Sequence, residues 1–223
     1  MKNLSLIIPA KYEKESLPKV LTELKKYKLK TYVILEKTDI ETIHSIKNFK
    51  VNIIHQKSKG YGNALIKGIK KVKTKYFIIF NADGSFNPKE IKKIENKAIS
   101  KKYDMVFASR YEDKNSGSAD DTIVTFIGNK IFTLIGKIFF SLPISDILYT
   151  YVLCDTKKTK RLNLKSFDFR FCVELPIKAI KKNYRMTSIS SYERPRIAGK
   201  KKVNAIKDGF LILVSMIKLF FDY

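Results

Sequence analysis

The sequence predicts an α/β fold with a mostly parallel central sheet flanked by helices. Three observations carry that prediction. Strand-like and helix-like segments alternate from Leu4 to Ala108, the rhythm that builds parallel sheets through right-handed crossovers. The strand segments are continuous apolar runs, as strands buried on both faces must be. One of them, Phe77-Ile78-Ile79-Phe80, runs directly into the polar turn Asn81-Ala82-Asp83-Gly84-Ser85. That puts a carboxylate at the C-terminal edge of the sheet, where open α/β sheets bind ligands.

The elements follow in order. Leu4 to Ile8 reads as a buried strand, and Ser16-Leu17-Pro18 opens a helix with Val20, Leu21 and Leu24 on one face. Ser16 suits the N-cap and Pro18 the first turn. Strands are expected at Tyr32 to Leu35, Val51 to Ile54, Tyr76 to Phe80 and Met105 to Ala108. Helices are expected after Gly60-Tyr61-Gly62 and over Pro88 to Ile99. Tyr111 to Thr122 is polar and reads as a mobile loop. Ile123 to Ser141 is a long apolar helix stopped by Pro143, and Arg170 to Asn183 a helix interrupted or bent near Pro176. A strand from Arg185 to Ser190, a basic turn from Arg194 to Lys202 and an apolar helix from Val203 to Phe221 complete the chain. These readings suit one domain over 1–223, with a binding half at 1–111 and a second half at 112–223.

The chain has 223 residues, 44% of them hydrophobic, enough to bury a full core. Lys and Arg number 45 against 21 Asp and Glu, for a formal charge of +24. Such a balance favours anionic partners: nucleic acid, phosphorylated substrates or an anionic membrane. Cys154 and Cys172 lie in apolar surroundings and read as buried reduced thiols of a cytosolic protein. His44 and His55 are too isolated for a histidine metal site. The opening Met1-Lys2-Asn3-Leu4 leads into a strand and reads as no signal peptide. No uncharged apolar run reaches the roughly 18 residues of a spanning helix.

A carboxylate at Asp83 suits a divalent metal beside a phosphate, and Asp83-Gly84 equally suits a plain tight turn. The order and spacing of several short motifs go further. They are Ser5-Leu6-Ile7-Ile8-Pro9-Ala10, Gly60-Tyr61-Gly62-Asn63-Ala64, Asn81-Ala82-Asp83-Gly84-Ser85, Ser109-Arg110-Tyr111, Ile144-Ser145-Asp146 and the run from Tyr192 to Gly199. Together they resemble the family 2 nucleotide-sugar glycosyltransferases, specifically the dolichol-phosphate mannosyltransferase-like branch, over nearly the whole chain.

That resemblance implies a GT-A type, Rossmann-like domain and metal-dependent, inverting transfer of a hexose from a nucleotide diphosphate sugar. It implies Asp83 as metal ligand, with Asn81 and Ser85 beside it, for Mg²⁺ or Mn²⁺. It places Pro9, Lys11, Glu13, Glu36, Lys59 and Ala82 around the nucleotide, and Arg110 near the phosphates. Asp146 falls beside the reacting centre, as a base toward an acceptor hydroxyl if one is used. Arg196 and Lys202 fall in a basic lid over the donor diphosphate and acceptor phosphate. The chain departs from the family pattern in several places. Asn81 replaces the first Asp of the metal signature, Lys11-Tyr12 the usual Tyr-Asn, and Lys37 a second acid. Thr150 replaces a Gly, Arg170 and Cys172 replace acids, and Lys201 replaces a Ser.

The two apolar helices carry sparse lysines, Lys130 and Lys137 in one and Lys218 in the other. This composition suits amphipathic helices lying peripherally in the headgroup boundary of the cytoplasmic membrane face. It also suits helices that cover the sheet or form a homodimer seam. The run Lys200-Lys201-Lys202 would meet anionic headgroups. The expected acceptor is a polyprenyl phosphate, or secondly a surface glycan. Two other classes stay open. One is a nucleotidyltransferase sharing the sheet and metal turn. The other is a non-catalytic basic protein binding nucleic acid or membrane, although nucleic acid is disfavoured because the aromatics sit in apolar runs.

Overall fold

The computed structural model describes residues 3–199 and 201–222. Met1, Lys2, Lys200 and Tyr223 lie outside them, and with them the reading of the first two residues and the Lys200 part of the headgroup run.

Seven strands form the main sheet. β1 is Leu4–Pro9, β2 Lys30–Glu36, β3 Asn52–Gln56, β4 Tyr76–Ile79 and β5 Met105–Ser109. A two-residue strand β6, Gly117–Ser118, is followed by β7, Val152–Asp155, then β8, Met186–Ser190, and another short strand β9, Tyr192–Glu193. The order in the large sheet is β3-β2-β1-β4-β7-β5-β8. All pairings in it are parallel except those of β7, which runs antiparallel between β4 and β5. The predicted architecture is therefore present, with one insertion the sequence reading lacked. β7 comes from the second half of the chain and separates strands of the first, so the halves at 1–111 and 112–223 interlock.

The helices are α1 Leu17–Leu24, α2 Ile40–Ser45, α3 Tyr61–Lys71, α4 Glu90–Lys101, α5 Ile123–Phe140, α6 Thr156–Lys160, α7 Phe171–Lys181 and α8 Ala205–Phe221. Strand alternation splits the core in two. Leu4, Leu6 and Ile8 of β1 pack with Leu17 and Val20 of α1 and Ile91 and Ile94 of α4. Ile7 faces the other side, with Leu65 and Ile69 of α3, Phe171 of α7 and Ile212 and Met216 of α8. Burial on both faces is why these strands read as unbroken apolar runs.

Three local expectations are corrected. Tyr111 to Thr122 is not a free loop: β6 within it pairs in parallel with β9. Ser16 sits at the start of α1 without capping it; its hydroxyl donates to Glu13 Oε2 at 2.5 Å instead. α7 runs through Pro176 without interruption. At the next long helix, Thr122 and Thr125 form a reciprocal capping box that starts α5.

Candidate active site

A cavity of about 410 Å³ opens at the C-terminal edge of the sheet. Its walls come from the ends of β1, β3, β4 and β5, the segment around Asp120, the helices α5 and α8, and the basic turn. Of the predicted residues, Pro9, Lys11, Glu13, Asn81, Ala82, Asp83, Arg110, Arg196 and Lys202 line it. Glu36, Lys59, Ser85 and Asp146 do not.

Asp83 is held from both sides. Its Oδ1 accepts from the Ser85 backbone N–H at 3.0 Å and the Ser85 hydroxyl at 2.8 Å. Its Oδ2 forms an ion pair with Arg196 at 2.9 Å. Ser85 is buried and orients Asp83 rather than facing the cavity. The basic turn is laced to the same strand end through backbone bonds, Arg194 N–H to Ser85 O and Ile197 N–H to Asp83 O, both 2.8 Å. Gly84, at φ +85°, allows this approach: a Cβ there would lie 2.4 Å from Ile197 Cδ1.

Among the described residues, the lid cations Arg196, Lys201 and Lys202 are engaged by acids. Lys202 pairs with Glu13, and Lys201 with Asp120 at 3.3 Å. Arg196 reaches Asp120 at 3.5 Å as well as Asp83. Lys11 pairs with Glu36 at 3.3 Å at the outer end of the cavity.

Arg110 belongs to a buried cluster. It holds Asp146 through Nε to Oδ2 at 2.7 Å and Nη2 to Oδ1 at 3.1 Å. Its Nη1 donates to Glu193 at 3.2 Å and reaches Asp121 at 3.5 Å. The guanidinium also lies 4.7 Å from the Tyr149 ring centre. Burial opposes its charge, but Asp146 first and then Glu193 more than offset this, so it stays protonated. Burial pushes the Glu193 carboxyl up, against Arg110 and Ser118. Asp146 has no exposed surface. Asp146 is thus paired with Arg110, and Arg110 with three carboxylates at the cavity wall.

The Gly-x-Gly turn is a packing device. A Cβ on Gly60 would lie 2.1 Å from Phe167 O, and one on Gly62 2.2 Å from Ser166 O. Lys59 is exposed and does not line the cavity. Tyr61, just beyond, does line the cavity; it stacks on Phe169 and lies 2.6 Å from the Thr150 hydroxyl. Cys172 lines the cavity too, and burial pushes its thiol up to about 12, so it stays uncharged.

Asp120, Asp121 and Glu193 are the site residues that sequence reading missed. Their signal was a pair of adjacent acids in a strongly basic chain. Among the described residues no three His, Cys, Asp or Glu side chains form a metal-holding group.

Comparison with known proteins places this geometry. Residues 5–162 match the family model described as glycosyl transferase family 2. An uncharacterized protein of Methanocaldococcus jannaschii is 32% identical over 115 residues, 49% of this chain. That match spans 47% of the relative, about half its length. Among solved structures, glucosyl-3-phosphoglycerate synthase from Mycobacterium tuberculosis with uridine diphosphate superposes with TM-score 0.77 at 11% identity, over 98% of this chain and 80% of that one. The same enzyme with Mn²⁺, uridine diphosphate and phosphoglyceric acid superposes at 0.72 and 11%, over 100% and 80%. At such identity the likeness shows the fold, which is GT-A.

Proposed function

The chain belongs to glycosyl transferase family 2 and is a glycosyltransferase, and on that premise we propose that it moves a hexose from a nucleotide diphosphate sugar to a polyprenyl phosphate at the cytoplasmic membrane face. The observation that carries the acceptor is the state of the acids. Among the described residues, every Asp or Glu lining the cavity already faces a cation: Glu13, Asp83, Asp120, Asp121 and Glu193. Neither histidine lines it. A hydroxyl acceptor, such as a surface glycan, needs a base to take its proton. A phosphate monoester is ionised already and needs none.

The same pairing supports inversion, because among the described residues no carboxylate lining the cavity is unpaired and placed to form a glycosyl-enzyme bond. An acceptor phosphate oxygen would attack the anomeric carbon as the bond to the diphosphate breaks. Arg196 would pass from Asp83 to the phosphates, and Lys201 and Lys202 would turn their remaining N–H groups to them while keeping Asp120 and Glu13 paired, which excludes water.

Asp83 fits a divalent ion that arrives with its donor. One carboxylate plus substrate phosphates is a usual way to hold Mg²⁺, and the mycobacterial synthase binds Mn²⁺ with uridine diphosphate. Asn81 would add a neutral carbonyl, with Ser85 fixing the Asp83 rotamer. Such an ion, Mg²⁺ or Mn²⁺, neutralises the leaving diphosphate. Arg110 and Asp146 act by position, tying the end of β5 to the segment before β7.

The lipid part of the reading rests on α5 and α8. Thr125 and Asn129 of α5 and Ile212 of α8 line the cavity. Outside it, Ile127, Ile131, Leu134 and Ile138 of α5 and Phe210, Ile217 and Phe221 of α8 are exposed. The helices lie together, with Phe139 and Phe140 both meeting Phe220. By length and composition α5 would even span a bilayer. Such a face at the cavity mouth suits a bilayer surface, with Lys130 and Lys137 reaching headgroups.

Nucleotide sugars incubated with the protein, Mn²⁺ and vesicles containing polyprenyl phosphate test the reading. Release of one nucleoside diphosphate, lost in Asp83→Ala, supports it. Release of pyrophosphate identifies a nucleotidyltransferase instead.

A further inference from the structure

One guanidinium joins two carboxylates from distant parts of the chain. Arg196 Nη1 pairs with Asp83 Oδ2 at 2.9 Å, and its Nη2 reaches Asp120 Oδ2 at 3.5 Å. Asp83 stands in the turn after β4 and Asp120 between β6 and α5, so it is the fold that brings them together. Both line the cavity. The neighbouring acid, Asp121, is turned elsewhere: its oxygens take Arg110, the Tyr111 hydroxyl and the Thr125 hydroxyl. Asp120 is anchored through backbone groups. Its N–H donates to the Ser118 hydroxyl at 3.1 Å, and the Ala119 N–H donates to Glu193 O at 2.9 Å. Among the described residues the Asp120 carboxylate meets only cations, Arg196 and Lys201.

Two carboxylates around one cation, completed by substrate phosphates, are a donor set for a hard divalent ion. The turn after β4 supplies only one of them, because Asn81 offers a neutral carbonyl there. Asp120 carries a negative charge to the same place from another segment. We propose that Asp120 supplies the second carboxylate of the divalent-ion site, facing the turn that holds Asp83. This rests on the metal-dependent nucleotide-sugar reading above and adds a ligand that reading lacks. Asp83 and Asp120 would change partner together: Arg196 leaves both for the diphosphate, while Lys201 stays on Asp120. No charge is left unpaired by that exchange, the condition under which partly buried ion pairs can be broken at low cost. The exchange also couples the ion to the diphosphate, since each frees a partner for the other.

Mn²⁺ binding to the full chain, read from the loss of the free-ion electron paramagnetic resonance signal, tests this without turnover. Arg196→Ala is the background, since it removes the cation that competes for both acids. In that background Asp120→Asn, which keeps the size, should weaken Mn²⁺ binding by about tenfold or more, the scale on which even the partners of metal ligands are felt. Asp83→Asn should weaken it at least as much. Lys201→Met separates a ligand from a latch. It removes the ion pair between Asp120 and the lid but no carboxylate, and should leave Mn²⁺ affinity unchanged or raised. Unchanged affinity in Asp120→Asn, with Asp83→Asn still weakening it, overturns Asp120 as a ligand and leaves the nucleotide-sugar reading standing. A loss in Lys201→Met as large as that in Asp120→Asn overturns it too, because docking of the lid would then explain both. No Mn²⁺ binding in any variant, by protein with a native circular dichroism spectrum, overturns both the ligand and the metal dependence.

Discussion

Arg110 clamps Asp146 through two parallel hydrogen bonds, 2.7 and 3.1 Å long, with the Asp146 side chain wholly enclosed. A buried pair of this kind is costly to break from one side, because the surviving charge stays in a low-dielectric setting. Arg110→Ala strands Asp146 and Glu193 together. It is expected to lower unfolding free energy by about 3–5 kcal/mol, read as a shift in the urea midpoint. Arg110→Lys recovers only part of this, since an ammonium cannot hold both carboxylate oxygens in the same geometry. A midpoint unchanged in Arg110→Ala contradicts the positioning role.

Gly84 and Ile197 form the closest seam between the metal turn and the lid. Gly84→Ala adds a methyl 2.4 Å from Ile197 Cδ1 at a backbone φ of +85°. The expected loss is about 1–3 kcal/mol, with faster proteolysis in the basic turn as it lifts off. Adding Ile197→Ala should relieve the clash but not the backbone strain, so recovery should be partial. Full recovery would show that φ contributes nothing.

Arg196 occupies the Asp83 oxygen that a divalent ion would use. Removing it with Arg196→Ala should tighten Mn²⁺ binding to the nucleotide-free protein by roughly tenfold, the scale of one charge-assisted contact. The same variant should bind nucleoside diphosphate more weakly, because a phosphate partner is gone. Calorimetry measures both. Weaker Mn²⁺ binding in Arg196→Ala contradicts the competition.

Glu90 is buried, accepts from the Ser191 hydroxyl at 2.6 Å and from the Tyr192 N–H at 3.3 Å, and has its carboxyl raised above the ordinary 4.5 by burial. The folded state therefore holds this proton more tightly than the unfolded chain. Linkage makes the Glu90 contribution most favourable below 4.5 and progressively lost as pH rises from there through the raised value. Glu90→Gln keeps an acceptor without a charge. The stability difference, variant minus wild type, should grow more favourable to the variant as pH rises through that window. Urea midpoints across the acidic range measure it, and a flat difference contradicts the assignment.

The sheet was legible because burial on both faces writes itself into local sequence. The runs at Leu4, Tyr32, Tyr76 and Met105 needed no partner to be recognised as strands. β7 was not legible: Val152–Asp155 is four residues long and defined by insertion between two distant strands. β6 and β9, two residues each, exist only through each other. The same division holds at the site. Asp83 and the basic turn are local patterns, and both reach the cavity. Arg110 and Asp146 were each recognisable as site-adjacent, but their saturation of one another depends on a chain fold that joins residues 36 positions apart. Asp120 and Glu193 gain meaning only from the cations that the fold sets beside them.

The central claim is an acceptor that is ionised before it binds. Labelled sugar transfer into vesicles carrying either polyprenyl phosphate or the matching polyprenol, with the same donor and Mn²⁺, tests it most directly. The account predicts labelled lipid from the phosphate and none from the alcohol. Equal transfer to the alcohol would contradict it, since a base that these ion pairs do not provide would then be at work.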